Sequence, residues 1–214
     1  MIVRAAHCEG DLEKVWRLTH DVFVAEGYAE PQAGQALRHY PHLDFIPETR
    51  VFMVEQFDGT LLGTNSYTVD GPAGLNVDAD FVDVADAVRQ ECRSSTRRLG
   101  AAWRLATQPG CRDGLAVLMQ LVSATLDAGR HVADVVLYEF NPKHESFYSR
   151  MLGLRTIAGP REARRANGAP SILMRGEMPE MVARWERVKG RRSSARLTGL
   201  GRNNATSLAA SAYS

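Results

Sequence analysis

The spacing of hydrophobic positions changes several times along the chain, and each change marks an element. Behind Asp11, which can cap a helix, Leu12, Val15, Trp16, Val22 and Phe23 fall on one helical face, and the pattern ends near Gly27. The mixed stretch from Pro31 to Pro47 keeps no period and predicts a short helix and loop. Arg50 to Glu55 and Leu61 to Asp70 read as two strands. Asp58-Gly59 lies between these two runs, which predicts a hairpin. Gly71-Pro72 breaks the second strand, and Asp78 or Asp80 then opens a helix through Phe81, Val84, Val88 and Cys92.

The remaining pattern repeats strand, turn and helix. Leu99 to Thr107 reads as a strand, Gln108 to Gly114 as a turn, and Leu115, Val117, Leu118, Leu121, Val122, Thr125 and Leu126 as the apolar side of a helix ending at Gly129. A further strand from Val132 to Tyr138 runs into Asn141-Pro142. Phe147, Met151 and Leu152 follow at helical spacing, with Gly153 as the C-terminal stop. Leu154 to Ile157 and Ser171 to Arg175 read as strands flanking a polar loop from Ala163 to Pro170. Glu180 to Val188 reads as a helix with Met181 and Trp185 inward.

This order predicts one α/β domain over residues 1–188. Beyond Glu186 the chain has no acid, carries Lys189, Arg191, Arg192, Arg196 and Arg202, and turns rich in Ser, Gly, Asn and Ala. Residues 189–214 are therefore expected to be a disordered basic tail. Composition changes this picture little. With 214 residues, 44% hydrophobic, the chain is long enough for one ordinary core, and a net charge of +1 implies neither nucleic acid nor an anionic membrane. Three cysteines, Cys8, Cys92 and Cys111, without metal spacing suit a reducing compartment. His20, His39 and His42 have no metal spacing either, so no metal site is expected. Met1-Ile2-Val3-Arg4 lacks the apolar core of a signal peptide and no run is long enough to span a bilayer, so the expected location is the cytoplasm.

Two strand–turn–helix units carry the candidate chemistry. The turn after Thr107, with glycines at 110 and 114, precedes a helix whose first amides and positive dipole end suit a phosphate, and Arg112 adds charge. The second unit places Asn141 at the mouth of a strand and Tyr148 seven residues on along a helix, two polar groups beside one cleft. The same residues also suit a helix cap and aromatic packing.

Asn141-Pro142-x-His144-x-x-Phe147-Tyr148-x-x-x-Leu152-Gly153-Leu154 resembles the late motif of the GNAT N-acyltransferase superfamily. Gln108 to Gly114 occupies the place of that superfamily's phosphate turn, with its glycines in a different register. A narrower resemblance is to the N-acyl amino acid synthases, relatives of the acyl-homoserine lactone synthases. It is carried, in order, by Ile46 to Phe52, Asp58 to Asp70, Gly74 to Asp78, Trp103 to Ala106 and Asn167 to Pro170, and covers about residues 10–176.

The resemblance implies an α/β (α+β) GNAT-type fold, a central mixed, splayed β-sheet flanked by helices on both faces. It implies a long-chain acyl group, carried as a phosphopantetheine thioester on acyl carrier protein or as acyl-CoA, passed to the amine of an amino acid. The donor would lie against Leu105, Ala106 and Thr107, whose backbone holds the carbonyl. Arg112, Asp113 and Gly114 would take the phosphate, and Asn141 and Phe147 the pantetheine arm. Tyr148 would protonate the leaving thiolate. Where the homoserine lactone relatives have a glutamate this chain has Ala101, so either another group serves as base, with Glu139 the best placed, or water suffices, or catalysis is impaired. Arg104 would organise the acceptor side with Asp44 or Asp70.

Tyr28, Asn65, Ser66 and Trp103 are the candidates for lining the acceptor and acyl pocket. Alternation along a strand allows only one of Asn65 and Ser66 to face it. Leu61, Val69, Phe81, Leu118 and Val122 are candidates for an acyl tunnel. Arg93, Arg97, Arg98, Arg112 and Lys143, or the basic tail, would receive the acidic carrier protein. Two other readings stay open: an acetyl-CoA-dependent N-acetyltransferase, and a carrier-binding module without turnover.

Overall fold

A computed structural model describes residues 1–197, and side chains as far as residue 191. Seven strands make one sheet in the order β1-β2-β3-β4-β5-β7-β6. They are β1 (Ile2–Ala5), β2 (Thr49–Glu55), β3 (Leu61–Val69), β4 (Leu99–Thr107), β5 (Val135–Phe140), β6 (Arg155–Glu162) and β7 (Pro170–Glu177). Every neighbouring pair is antiparallel except β4 and β5, which run parallel. The helices are α1 (Glu9–Ala25), α2 (Asp78–Ser94), α3 (Gly114–Gly129), α4 (Glu145–Leu152) and α5 (Met178–Leu197). The first two cover one face and the other three cover the opposite one, as the expected mixed, splayed sheet requires.

Alternation along β2 divides the core between these faces. Val51 and Met53 pack under Leu12, Val15 and Trp16 of α1, whereas Phe52 and Val54 join the larger core beneath α3 and α5. The start of α1 is fixed electrostatically. Asp11 lies in its first turn, accepts from the His7 N–H (2.9 Å) and takes both terminal nitrogens of Arg4, whose charge holds the Asp11 carboxyl below the usual carboxylate range. Arg4 belongs to β1, a four-residue edge strand that the sequence pattern does not announce.

Other boundaries differ from expectation for identifiable reasons. The stretch 31–47 contains turns and no helix. Its polar side chains are used to tie it to the body of the protein, as with His39 and Asp44. The last helix does not stop at residue 188 but runs to Leu197, because Arg, Lys and Ala are good helix formers and a missing acid does not end a helix. The expected tail beyond it, 198–214, lies outside the described residues.

The feature that positions the site is a bulge in β4. The register between β3 and β4 passes from Thr64↔Ala106 to Ser66↔Trp103, so Arg104 and Leu105 together oppose Asn65. Arg104 takes φ +55° in mid-strand, a left-handed conformation unusual for a non-glycine residue. A bulge bends its strand and increases the local twist. Consequently β4 and β5 pair only from Leu99↔Val135 to Ala102↔Tyr138, and beyond that rung the strands part.

Candidate active site

The parting of β4 and β5 leaves a narrow cleft between the two strands. Its walls include Ala102, Trp103 and Leu105 of β4, Tyr138 and Phe140 of β5, Val122 and Leu126 of α3, and Tyr148 of α4. The backbone of β4 offers donors along one side. Gln108 N–H bonds across to Leu62 O (2.8 Å), so the alternation of strand hydrogen bonding turns the amides of Thr107 and Leu105 away from β3 and toward the gap. Ala106 lies between them and packs its methyl group against the α1 side.

Tyr148 is buried in the cleft wall, stacked on Phe140 with ring centroids 4.0 Å apart and edge-on to Phe147 at 5.0 Å. Burial raises its phenol above the ordinary value, so it stays protonated at neutral pH. Asn141 closes the mouth. Its Oδ1 accepts from the Lys143 N–H (3.1 Å), capping the 3₁₀ turn Pro142–His144 that leads into α4. The same side chain hydrogen-bonds the phenol of Tyr28, which reaches the mouth from the exit of α1. Tyr28 is pushed up to about 12, chiefly by burial and then by Glu26. Capping and site geometry are thus combined in one residue.

Glu139 points to the other face of the sheet from Tyr138 and Phe140, toward the first turn of α2 and toward β7. Burial lifts its carboxyl to about 8, opposed by a hydrogen bond from Ser171, with Asp80 adding repulsion and a further hydrogen bond. Asp80 is itself buried at its carboxylate and accepts from the Arg164 N–H (3.2 Å). Nothing in the local sequence distinguishes Asp80 from an ordinary first-turn acid. The position that lacks a glutamate, Ala101, is packed in the core beneath α2, where its small side chain leaves no polar group.

Arg104 is wholly buried and organises the α1 side of the bulge. It pairs with Asp44 (2.6 Å), donates to Ser66 Oγ (2.8 and 3.1 Å) and lies over the Trp103 ring at 4.4 Å. Asp44 also accepts from Trp16 Nε1 (2.8 Å). Of the two acids considered for Arg104, Asp70 is instead held by Arg89 (2.9 Å). Beside this network His39 donates from Nε2 to Arg165 O (3.0 Å), while Arg165 donates back to His39 O (2.9 Å). Burial and the Arg104 charge push His39 down to about 3, so it is neutral. This reciprocal clasp holds the 31–47 stretch against the loop before β7, and Ala163 and Ala166 of that loop pack on Tyr28 and Ala106.

The structure separates the expected site residues into groups. Leu105 and Tyr148 line the cleft, Phe147 packs edge-on against Tyr148, Thr107 ends β4, and Asn141, just past the end of β5, hydrogen-bonds Tyr28. Asn65 and Ser66 face opposite ways, Asn65 into the cleft and Ser66 to Arg104. Trp103 lines the cleft and also packs against Tyr40 (5.2 Å). Arg112 and Asp113 are exposed and Gly114 is buried, all at the start of α3.

Of the expected tunnel residues only Val122 reaches the cleft. Phe81 packs on the opposite face, Leu61 with the α1 side, and Leu118 and Val69 belong to the core behind α3. The expected basic patch also divides. β4 is nine residues, about 30 Å, long, and Arg93, Arg97 and Arg98 lie before its start, at the end remote from the mouth. There Arg97 pairs with Glu177, and Arg98 with Asp134 (3.3 Å). Arg112 and Lys143 flank the mouth and are exposed.

Among the described residues no cluster of His, Cys, Asp and Glu could hold a metal, and no helix is long and apolar enough to cross a membrane. The profile of the family described as N-acyl amino acid synthase FeeM matches residues 14–177. Among solved structures, FeeM, an N-acyl amino acid synthase from uncultured soil microbes, is similar with a TM-score of 0.66. It is 21% identical over 86% of this chain and 93% of its own. The acyl-homoserine lactone (AHL) synthase LasI gives 0.56 at 14% identity over 83% and 89%, and an acyl-CoA N-acyltransferase from Pseudomonas aeruginosa gives 0.52 at 18% over 82% and 98%. No curated protein matches the sequence.

Proposed function

Because the chain belongs to the FeeM family of N-acyl amino acid synthases, we propose that it transfers a long-chain acyl group from acyl carrier protein to the α-amine of an amino acid. Its family and fold make it an N-acyltransferase. The observation that carries the finer reading is the division of the gap between β4 and β5, with Tyr148 on one face of the sheet and the buried Glu139 on the other. A donor thioester threaded along the gap is then met from opposite sides by a proton acceptor and a proton donor.

In this reading the thioester carbonyl lies against the outward amides of Leu105 and Thr107, which stabilise the oxyanion as the amine attacks. The new C–N bond forms while the proton of the amine passes to Glu139, whose lifted value matches a base working near neutral pH. The C–S bond breaks, and the thiolate takes its proton from Tyr148. Asn141, with Tyr28 behind it, holds the pantetheine arm at the mouth, and the α3 N-terminus with Arg112 faces its phosphate. Arg104 keeps the bulge, and so the amides, in place. Glu139 supplies the function that Ala101 lacks, which favours turnover over a carrier-binding role alone.

The test incubates the purified protein with long-chain acyl carrier protein and the twenty amino acids and seeks N-acyl amino acids by mass spectrometry. Product with one acceptor is the expected result, and its absence at every chain length overturns the proposal. Product from acetyl-CoA alone transfers the protein to the N-acetyltransferases.

A further inference from the structure

The charge of this chain is divided within α5. Residues 1–186 hold all 25 acids and 20 of the lysines and arginines, a net of −5, and the other six cations, Arg187, Lys189, Arg191, Arg192, Arg196 and Arg202, follow without one acid. All of α5 lies beyond residue 177, where the match to the family ends, so this cationic segment is no part of what the family shares. Lys189 is paired with Glu186 (2.6 Å), the last acid of the sequence. Arg187 and Arg191 are exposed and pair with no acid among the described residues. They stand four apart on a helix, hence side by side.

Two helix pairings show where this end of α5 arrives. Along α3 it runs antiparallel: Met178 packs at Gly129, the last residue of α3, and seven residues on Trp185 Nε1 donates to Ser123 Oγ (2.9 Å), six residues back. Along α4 the sense is the same. Glu180 and Arg184 lie against Gly153, and Arg184 also donates to Ser149 O (3.5 Å), four residues nearer the start of that helix. Val188 still packs on the core. At 1.5 Å per residue Arg191 stands about 9 Å beyond Trp185, on a course toward the first turns of both helices. α3 starts beside Arg112 and α4 beside Lys143, the exposed cations that flank the mouth of the cleft. Resting on the reading of the donor as a protein-borne thioester, we propose that the end of α5, with Arg187 and Arg191 foremost, is a docking element for an acidic carrier protein, set beside the mouth through which the carrier's arm must pass. The net negative charge of the rest of the chain repels such a partner, which makes the cationic end the place of first encounter.

Binding to the full-length protein reads this without need of turnover. Calorimetric titration with long-chain acyl carrier protein compares the unaltered chain with the double variant Arg187→Glu, Arg191→Glu, in low salt and in about 0.5 M sodium chloride, and the same acyl chain on pantetheine is titrated into both. The variant should bind the carrier about tenfold more weakly in low salt, lose most of that difference in high salt, and bind the acyl-pantetheine as the unaltered chain does. The neutral pair Arg187→Gln, Arg191→Gln should fall between, and decides alone if the reversed pair does not fold. Equal affinity for the carrier in all three proteins overturns the inference. So does an equal loss for acyl-pantetheine, which marks a structural role, or a loss confined to phosphatidylglycerol vesicles, which assigns the segment to a lipid surface. Turnover of the carrier thioester at one KM by the unaltered and reversed proteins overturns the docking element and leaves the proposed function standing. If the unaltered protein binds no carrier at either salt, both fall.

Discussion

Glu139 sits where ionisation is opposed by burial and by Asp80, and its lifted value, about 8, has consequences of opposite sign for catalysis and for stability. Below that pH the carboxyl is neutral and cannot take a proton from the amine. The kcat/KM should therefore rise toward pH 8 and lose part of its dependence above it. Glu139→Gln should remove that limb and lower the rate by about a hundredfold, and an unchanged profile in the variant would take the role of proton acceptor away. For folding, a carboxyl raised from about 4.3 binds more protons in the native than in the unfolded state between those two values, so stability falls as pH rises through the window. Glu139→Gln should be more stabilising at pH 8 than at pH 5, by about 2 kcal/mol or more, measured by urea unfolding at both. Glu139 and Tyr148 stand out in the sequence because each closes a strand–turn–helix pattern. Asp80 and the His39 clasp do not, because their partners are supplied by segments distant along the chain.

Among the elements, the hairpin of β2 and β3 was legible because Asp58-Gly59 specifies a tight turn, and α4 because Asn141 begins it and Gly153 ends it at φ +78°. The bulge in β4 was not. It rests on no glycine or proline, only on Arg104 being held in a left-handed conformation by Asp44, sixty residues earlier, and by Ser66. Removing either charge strands the other in the core. Arg104→Met and Asp44→Leu should each cost about 3–5 kcal/mol in denaturant unfolding, and the double variant less than the sum of the two. At Gly153 an added Cβ meets the flexible ends of Arg184, 2.6 Å from Nε, and of Glu180, 3.0 Å from Oε1, which can both give way, so Gly153→Ala should cost about 1–2 kcal/mol, chiefly through backbone strain. Because α4 carries Tyr148, that change should be read in parallel for kcat and for melting temperature.

Across the whole molecule the charge is near balance, and Arg112 and Lys143 are exposed cations at the cleft mouth. Charge reversal at Arg112 and Lys143, exposed at the mouth, should raise the KM for carrier protein, with an effect that shrinks as salt is added. Reversal at Arg98, which is committed to Asp134 at the remote end, should leave it unchanged. Equal effects at both ends would mean that the carrier is not received at the mouth. The sheet also has a mechanical character. Everything up to β4 and everything from β5 onward meet, strand to strand, along four rungs, Leu99↔Val135 to Ala102↔Tyr138. Those rungs make a partly opened seam, closed at one end and spread at the other like a clasp knife. Native-state hydrogen exchange should find amides within the rungs among the slowest in the protein, and those of Leu105 and Thr107 among the fastest of any strand until a thioester fills the gap. A bound donor would then act as the missing strand, lending to the sheet the rigidity that its own chain leaves out.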